Sequence, residues 1–174
     1  MKCNSYEHFD KLFETQLRKL RTDYIDYYLM HNLSDIPLWK GLCEIGIEKW
    51  IAEKKASGQI RQIGFSFHGM QKEFMALLDA YEWDFCQMQY NYVNINYQAG
   101  LAGLKKAAGI GIPVIVMEPL LGGKLANGLP KKAKELFSSF DKNLSPAGMG
   151  VTLAVEPKRR YCCFVRHERR RTAR

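Results

Sequence analysis

Apolar positions return along this chain in two alternating rhythms. Phe9, Leu12, Phe13, Leu17 and Leu20 recur three and four residues apart with charges between them, behind Ser5 as a candidate N-cap, and predict an amphipathic helix. The run from Ile25 to Leu29 is short, aromatic and β-branched, and predicts a strand; Asn32, Ser34, Asp35 and Pro37 then mark a loop. Leu38, Leu42, Ile45, Trp50 and Ile51 predict one further helix that ends at Gly58. The rhythm repeats as a strand over 60–66, a helix over 70–80 with Phe74, Leu77 and Leu78 inward, a strand over 85–90, and a helix over 98–108 with Leu101 and Leu104 inward. A last strand over 112–118 is apolar on both faces, as in a fully covered parallel strand. A loop over 121–128 and a helix over 131–140 follow.

Strand and helix alternate four times, which implies a parallel sheet with helices packed outside it. A doubly wound fold would carry a glycine fingerprint after a strand, and Gly64-Phe-Ser-Phe-His-Gly69 is not one. The pattern fits a partial (β/α)8 barrel, with about four parallel β/α units. It sets His31, Ser66, Gln87 and Glu118 near the C-terminal ends of their strands, the side on which such barrels carry their chemistry. Histidine is the usual acid, base or donor near neutral pH. From the residues alone, His31 is equally a histidine that hydrogen-bonds at a strand end.

Composition narrows the classes. A length of 174 residues suggests one domain, and 47% apolar residues suffice for a core. No apolar run approaches the ~18 residues of a membrane span, and the N-terminus has no hydrophobic signal region, so no membrane partner and a cytoplasmic location are expected. Cys3, Cys43, Cys86, Cys162 and Cys163 lack the spaced pairs of a metal or iron–sulfur site, and none is expected. The net charge of +8 is uneven: 148–174 holds eight Lys/Arg and two Asp/Glu, a net +6, leaving +2 for the rest. Clustered arginines attract phosphates, and Tyr161 and Phe164 could stack on bases. The alternative function is therefore binding of nucleic acid or an anionic surface through the tail. The tail holds no recognisable binding module, and nucleic acid is not the expected partner.

Four motifs carry a family resemblance. Leu20-Arg-Thr-Asp-Tyr-Ile-Asp-Tyr-Tyr-Leu-Met-His31 resembles the fourth strand of aldo-keto reductases, and Ile60-Arg-Gln-Ile-Gly64-Phe-Ser66 is similar to their fifth. Gln87-Met-Gln-Tyr90-Asn91 resembles their Gln-x-x-Tyr-Asn/His stretch, and the run through Glu118-Pro119-Leu120-Leu-Gly122-Gly123 their seventh strand and cofactor loop. The motifs stand in the family's order over about 5–147, and look most like the bacterial branch that often carries a ferredoxin-like C-terminal extension.

The resemblance implies reduction of a small carbonyl substrate, or oxidation of an alcohol, with NADP(H). It implies that His31 orients the carbonyl, that Ser66 and Gln87 hold the nicotinamide carboxamide, and that Glu118, Pro119, Leu120, Gly122 and Gly123 border the nicotinamide and pyrophosphate. Family members often have Asn after the serine, where this chain has Phe67. His68 takes no family role and reads as a loop histidine; Tyr90 reads as packing.

The family's catalytic tyrosine, lysine and aspartate lie on its first three strands, and this sequence starts at the helix before the fourth. The expectation is a barrel fragment inactive alone, with open sheet edges prone to self-association. After Ala147 the family has a helix and a strand, whereas 148–174 shows no helical period and contains Pro157. Back-translated and read one base forward, it permits EWGLRWLWNQKGGTVVLSGMN, an amphipathic helix, a loop and a β-rich strand. Residues 1–147 are therefore expected to form the partial barrel, and 148–174 an irregular basic tail in a shifted frame.

Overall fold

The computed structural model describes residues 5–140, 144–154 and 162–163, with Leu153, Ala154, Cys162 and Cys163 by backbone alone. Helix α1 (Tyr6–Leu20) leads into β1 (Ile25–Met30); α2 (Ile36–Ile45) and α3 (Ile47–Ala56) lead into β2 (Ile60–Phe67); α4 (Gln71–Ala80) leads into β3 (Phe85–Gln89). Helix α5 (Gly100–Gly109) precedes β4 (Val114–Met117); a 3-10 turn (Leu121–Gly123), α6 (Lys124–Asn127), α7 (Lys131–Phe140), α8 (Pro146–Ala154) and β5 (Cys162–Cys163) follow. The strands form one sheet in the order β1-β2-β3-β4-β5. The chain divides into two compact units, 1–86 and 87–174, and the division falls within β3.

In the first unit the Ser5 side chain accepts the N–H of His8 and caps α1, and Arg21, at φ 56°, ends it. Phe9, Phe13 and Leu17, four residues apart, form the buried stripe of α1. Phe13 meets the indole of Trp50 edge-on at 5.5 Å and the ring of Tyr28 at 5.4 Å, which ties α1 to α3 and β1. Burying side chains of this size contributes about 1.5–3 kcal/mol each. The single helix expected over 38–58 is two. Gly46 at φ 97° caps α2 and starts α3, and an added Cβ there would meet the Tyr6 ring at 3.2 Å.

Strand β1 pairs in parallel with β2, Ile25 opposite Ile60 and Met30 opposite Phe65. Strand β2 is buried on both faces; Ile63, Phe65 and Phe67 are fully covered. Asp84 docks the start of β3 on it. Its N–H donates to the Ile63 carbonyl at 2.9 Å, while its carboxylate accepts the Ile63 N–H at 2.7 Å and the Lys55 ammonium at 2.7 Å. Strand β1 differs from the packed strand expected: none of its residues is fully buried, and Tyr27 is 63% exposed. It is the edge strand of the sheet, so only one side of its backbone is covered by another strand.

In the second unit α5 begins at Gly100 rather than at 98, because Gln98 and Gly100 hold left-handed backbone (φ 54° and 55°). Strand β4 is shorter than expected, and it is not covered evenly: Val114 and Val116 are buried, Ile115 and Met117 only half-buried. The expected loop over 121–128 holds the 3-10 turn and α6. The expected irregular tail is corrected at its start. Helix α8 runs across the boundary at 147, opened by Ser145, whose Oγ accepts the Gly148 N–H at 3.0 Å and whose carbonyl accepts the Met149 N–H at 2.9 Å. Met149 is buried, and Gly150 lies so close to Leu120 that a Cβ would stand 2.7 Å from its Cδ2. Small residues with no helical period of their own thus make a helix by close approach. A fifth strand, β5, pairs in parallel with β4, Ile115 opposite Cys162. The arginines of the tail, Arg159 onward, lie outside the described residues.

Candidate active site

The first unit presents His31, Asn32 and Ser66. His31 directly follows β1 and is exposed. Asn32 takes left-handed backbone, φ 52°, a conformation asparagine tolerates better than most residues. That turn is stitched to β2 twice: the Asn32 N–H donates to Ser66 Oγ at 2.8 Å, and the Leu33 N–H donates to the Ser66 carbonyl at 2.9 Å. Leu33 is buried and anchors the same turn. The exit of His31 from β1 is therefore fixed by the penultimate residue of β2. Ser66 is only 3% exposed. A hydroxyl has one proton and two lone pairs, so an Oγ that accepts from Asn32 keeps its proton for another acceptor. Phe67, where the family often has Asn, is fully buried against Phe74 at 5.0 Å and has no polar atom to offer.

The second unit presents Gln87, Gln89 and the segment that follows β4. Gln87 does not close its strand; it is the third residue of β3. It shares a half-buried face with Gln89, while Cys86 and Met88 on the opposite face are fully buried. Burial pushes the Cys86 thiol up to about 12, so it stays a protonated thiol rather than a nucleophile. Among the described residues no hydrogen bond engages the Gln87 amide. Gln89 Nε2 donates to Glu118 Oε2 at 3.3 Å, and the Tyr90 N–H donates to the Met117 carbonyl at 3.2 Å, so the ends of β3 and β4 are tied together. Tyr90 is buried, and Asn91, fully buried, accepts the N–H groups of Val93 and Asn94 at its Oδ1.

Glu118 is exposed and left-handed at φ 52°; Leu121 (48°), Gly122 (64°) and Gly123 (90°) also hold left-handed backbone. Pro119 is buried and Leu120 half-buried, so they pin the segment while its glycines stay open: a Cβ at Gly122 or Gly123 would meet nothing. Within the segment the Leu121 N–H donates to the Glu118 carbonyl at 3.1 Å and the Gly123 N–H to the Leu120 carbonyl at 2.9 Å, which holds the turn closed on itself. Among the described residues no three His, Cys, Asp or Glu side chains come together as a metal site, and no helix is long and apolar enough to cross a membrane.

Two contributions were missed in the sequence. Asn32 acts through its backbone N–H, which its residue type does not announce. Gln89 could have been found, since it lies two residues from Gln87 and strand residues two apart share a face.

The aldo/keto reductase family profile matches residues 1–149. The chain belongs to the aldo/keto reductase family. No curated protein sequence matches it. Among solved structures it is similar to a holo-form aldo-keto reductase of Bacillus halodurans, at 25% identity and a TM-score of 0.58, covering 73% of this chain and 40% of that one. An aldo/keto reductase of Brucella melitensis shares 22% identity at a TM-score of 0.66, over 93% of this chain and 57% of its own. An aldo-keto reductase of Klebsiella pneumoniae, solved with NADPH, shares 24% identity at a TM-score of 0.61, over 82% and 49%. The chain spans about half the length of these enzymes. Its fold is that of part of an aldo-keto reductase (β/α)8 barrel.

Proposed function

We propose that this chain is the part of an NADP(H)-dependent aldo-keto reductase, a carbonyl and alcohol oxidoreductase, that carries the carbonyl-orienting histidine and the nicotinamide contacts. The observation that carries the reading is Ser66: a buried serine whose acceptor side is taken by Asn32 and whose hydroxyl proton remains for a ligand carbonyl. The half-buried amide of Gln87 offers a donor and an acceptor of the kind a carboxamide needs. The family resemblance sets Glu118 to Gly123 along the cofactor, and the lack of any neighbour around Gly122 and Gly123 leaves room for it there. The NADPH of the Klebsiella pneumoniae enzyme supports the cofactor class.

When bound, NADP(H) supplies or accepts the hydride at the carbonyl carbon. Ser66 in the first unit and Gln87 in the second would each offer hydrogen-bonding groups of the kind the carboxamide needs. His31 donates to the carbonyl oxygen as negative charge develops there, an effect worth a few kcal/mol when the donor is preorganised. The Asn32–Ser66 bond keeps His31 and Ser66 in a set relation, and misplacement of such groups is costly.

The family resemblance sets the tyrosine, lysine and aspartate that act beside the histidine on strands other than those the four motifs match. The 174-residue chain alone is therefore proposed to bind NADPH but to turn over no measurable aldehyde. A missing general acid alone costs ~10²–10⁴-fold. The test follows NADPH consumption over a panel of aldehydes and quinones with the chain and its His31→Ala variant. Neither should exceed background. Turnover that His31→Ala abolishes would show a working enzyme and overturn the inactivity, leaving the assignment of His31 intact.

A further inference from the structure

The turn after β4 is held by its own backbone. Leu121 donates back to the Glu118 carbonyl, and the Leu120 carbonyl accepts the N–H groups of Gly123 at 2.9 Å and Leu125 at 3.1 Å. These bonds keep the turn together without tying it to another strand. Glu118, its first residue, holds left-handed backbone at φ 52°, which a residue with a Cβ adopts only at a cost. Glu118 also carries the one charge between 118 and 123.

Strand β3 supplies the outside hold. Gln89 Nε2 donates to Glu118 Oε2 at 3.3 Å. One residue along, the Tyr90 N–H donates to the Met117 carbonyl, just ahead of the turn, at 3.2 Å. Gln89 is half-buried, on the face of β3 that also presents Gln87. The backbone bond fixes where β4 ends, and the side-chain bond fixes the first residue beyond it.

We propose that Gln89 is a positioning residue for the cofactor segment: its amide holds the Glu118 carboxylate and so sets how the closed turn meets NADP(H). The proposal rests on the cofactor reading above. NADP(H) is anionic through its phosphates, and a carboxylate free to sweep beside it opposes binding. A donor on Oε2 restricts that sweep and pins the residue whose left-handed backbone opens the turn. Gln89 acts through Glu118 and makes no contact with the cofactor itself. Its amide supplies a donor, which a carboxylate needs and a second carboxylate lacks.

The test is a double-mutant cycle on the full chain, read by NADPH titration with nicotinamide fluorescence, each protein first checked by circular dichroism. Gln89→Glu sets two carboxylates against each other and should raise the dissociation constant at least about tenfold. In a Glu118→Gln background the same change rebuilds the hydrogen bond with the roles exchanged, and its effect should fall to about twofold or less. Gln89→Leu removes the donor without adding a charge and should weaken binding by about threefold or more. A fold that only needed Gln89 for packing would show no such dependence on the residue at 118. If wild type binds and Gln89→Glu costs the same in both backgrounds, the proposal is overturned and the cofactor reading stands. If wild type does not bind saturably, the cofactor reading falls and takes the proposal with it. Should Gln89→Glu fail to fold, Gln89→Leu decides, and unchanged affinity in it overturns the proposal.

Discussion

The backbone N–H of Asn32 donates to Ser66 Oγ over 2.8 Å, joining residues 34 positions apart. It locks the turn that carries His31 to the end of β2. Ser66→Ala leaves that N–H without its acceptor at a part-buried position. The expected cost is about 1 kcal/mol, read as a shift in the urea midpoint at unchanged slope. An unchanged midpoint would mean that the turn holds without the bond.

Asn32 itself tests the same turn from the other side. At φ 52° a β-branched residue is strained, whereas glycine is not. Asn32→Val is expected to destabilise by about 1–2 kcal/mol and Asn32→Gly by well under half of that, both read by thermal or urea unfolding.

Gly64 shows where the fold demands a missing side chain. A Cβ there would stand 2.5 Å from the Phe85 carbonyl oxygen and 2.8 Å from its ring. The backbone oxygen cannot swing aside as a flexible side chain could. Gly64→Ala should therefore destabilise by about 1–3 kcal/mol, measured by urea unfolding, with loss of near-ultraviolet signal as β2 and the start of β3 are pushed apart.

Most of the strand and helix order was legible because the two periods differ so plainly, as in Phe9, Phe13 and Leu17 against Ile63 and Phe65. What escaped was fixed by single backbone conformations or by distant neighbours. Gly46 splits one apolar period into two helices by its φ alone. The helix at Pro146 to Ala154 exists because glycines allow close packing, which no hydrophobic rhythm reports. Tyr27 reads as core but is exposed, since a strand's place at the sheet edge is not written in its own residues. The positions of His31, Ser66 and Glu118 at or near strand ends were legible from the strand pattern. The hold of Asn32 on Ser66 was not, because a backbone donor has no residue-type signature.

The junction of α1 and α3 predicts an acid response. Lys54 Nζ lies 2.8 Å from Asp10 Oδ1, and the buried indole of Trp50 donates to the same oxygen at 2.8 Å. The Lys54 hydrogen bond, with Trp50 adding to it and partial burial opposing, holds the Asp10 carboxyl below its ordinary value of 3.8. A carboxyl lowered by folding stabilises the fold above its unfolded pKa and loses that contribution as pH falls through the folded value. Asp10→Ala should thus destabilise at neutral pH, by about 1–3 kcal/mol for the indole N–H left without an acceptor and the lost charge contact. The gap from wild type should narrow in acid below the folded pKa. Urea unfolding of both proteins across this pH range checks it, and a gap constant with pH would contradict the sign.

Titration of NADPH into the 174-residue chain, followed by nicotinamide fluorescence, bears most directly on the cofactor role of this aldo-keto reductase segment. Wild type is predicted to bind saturably, and Gln87→Ala, with circular dichroism unchanged, to bind at least about tenfold more weakly, as expected for loss of the amide's hydrogen bonds to a carboxamide. Absence of saturable binding, or equal affinity in the two proteins, would contradict it.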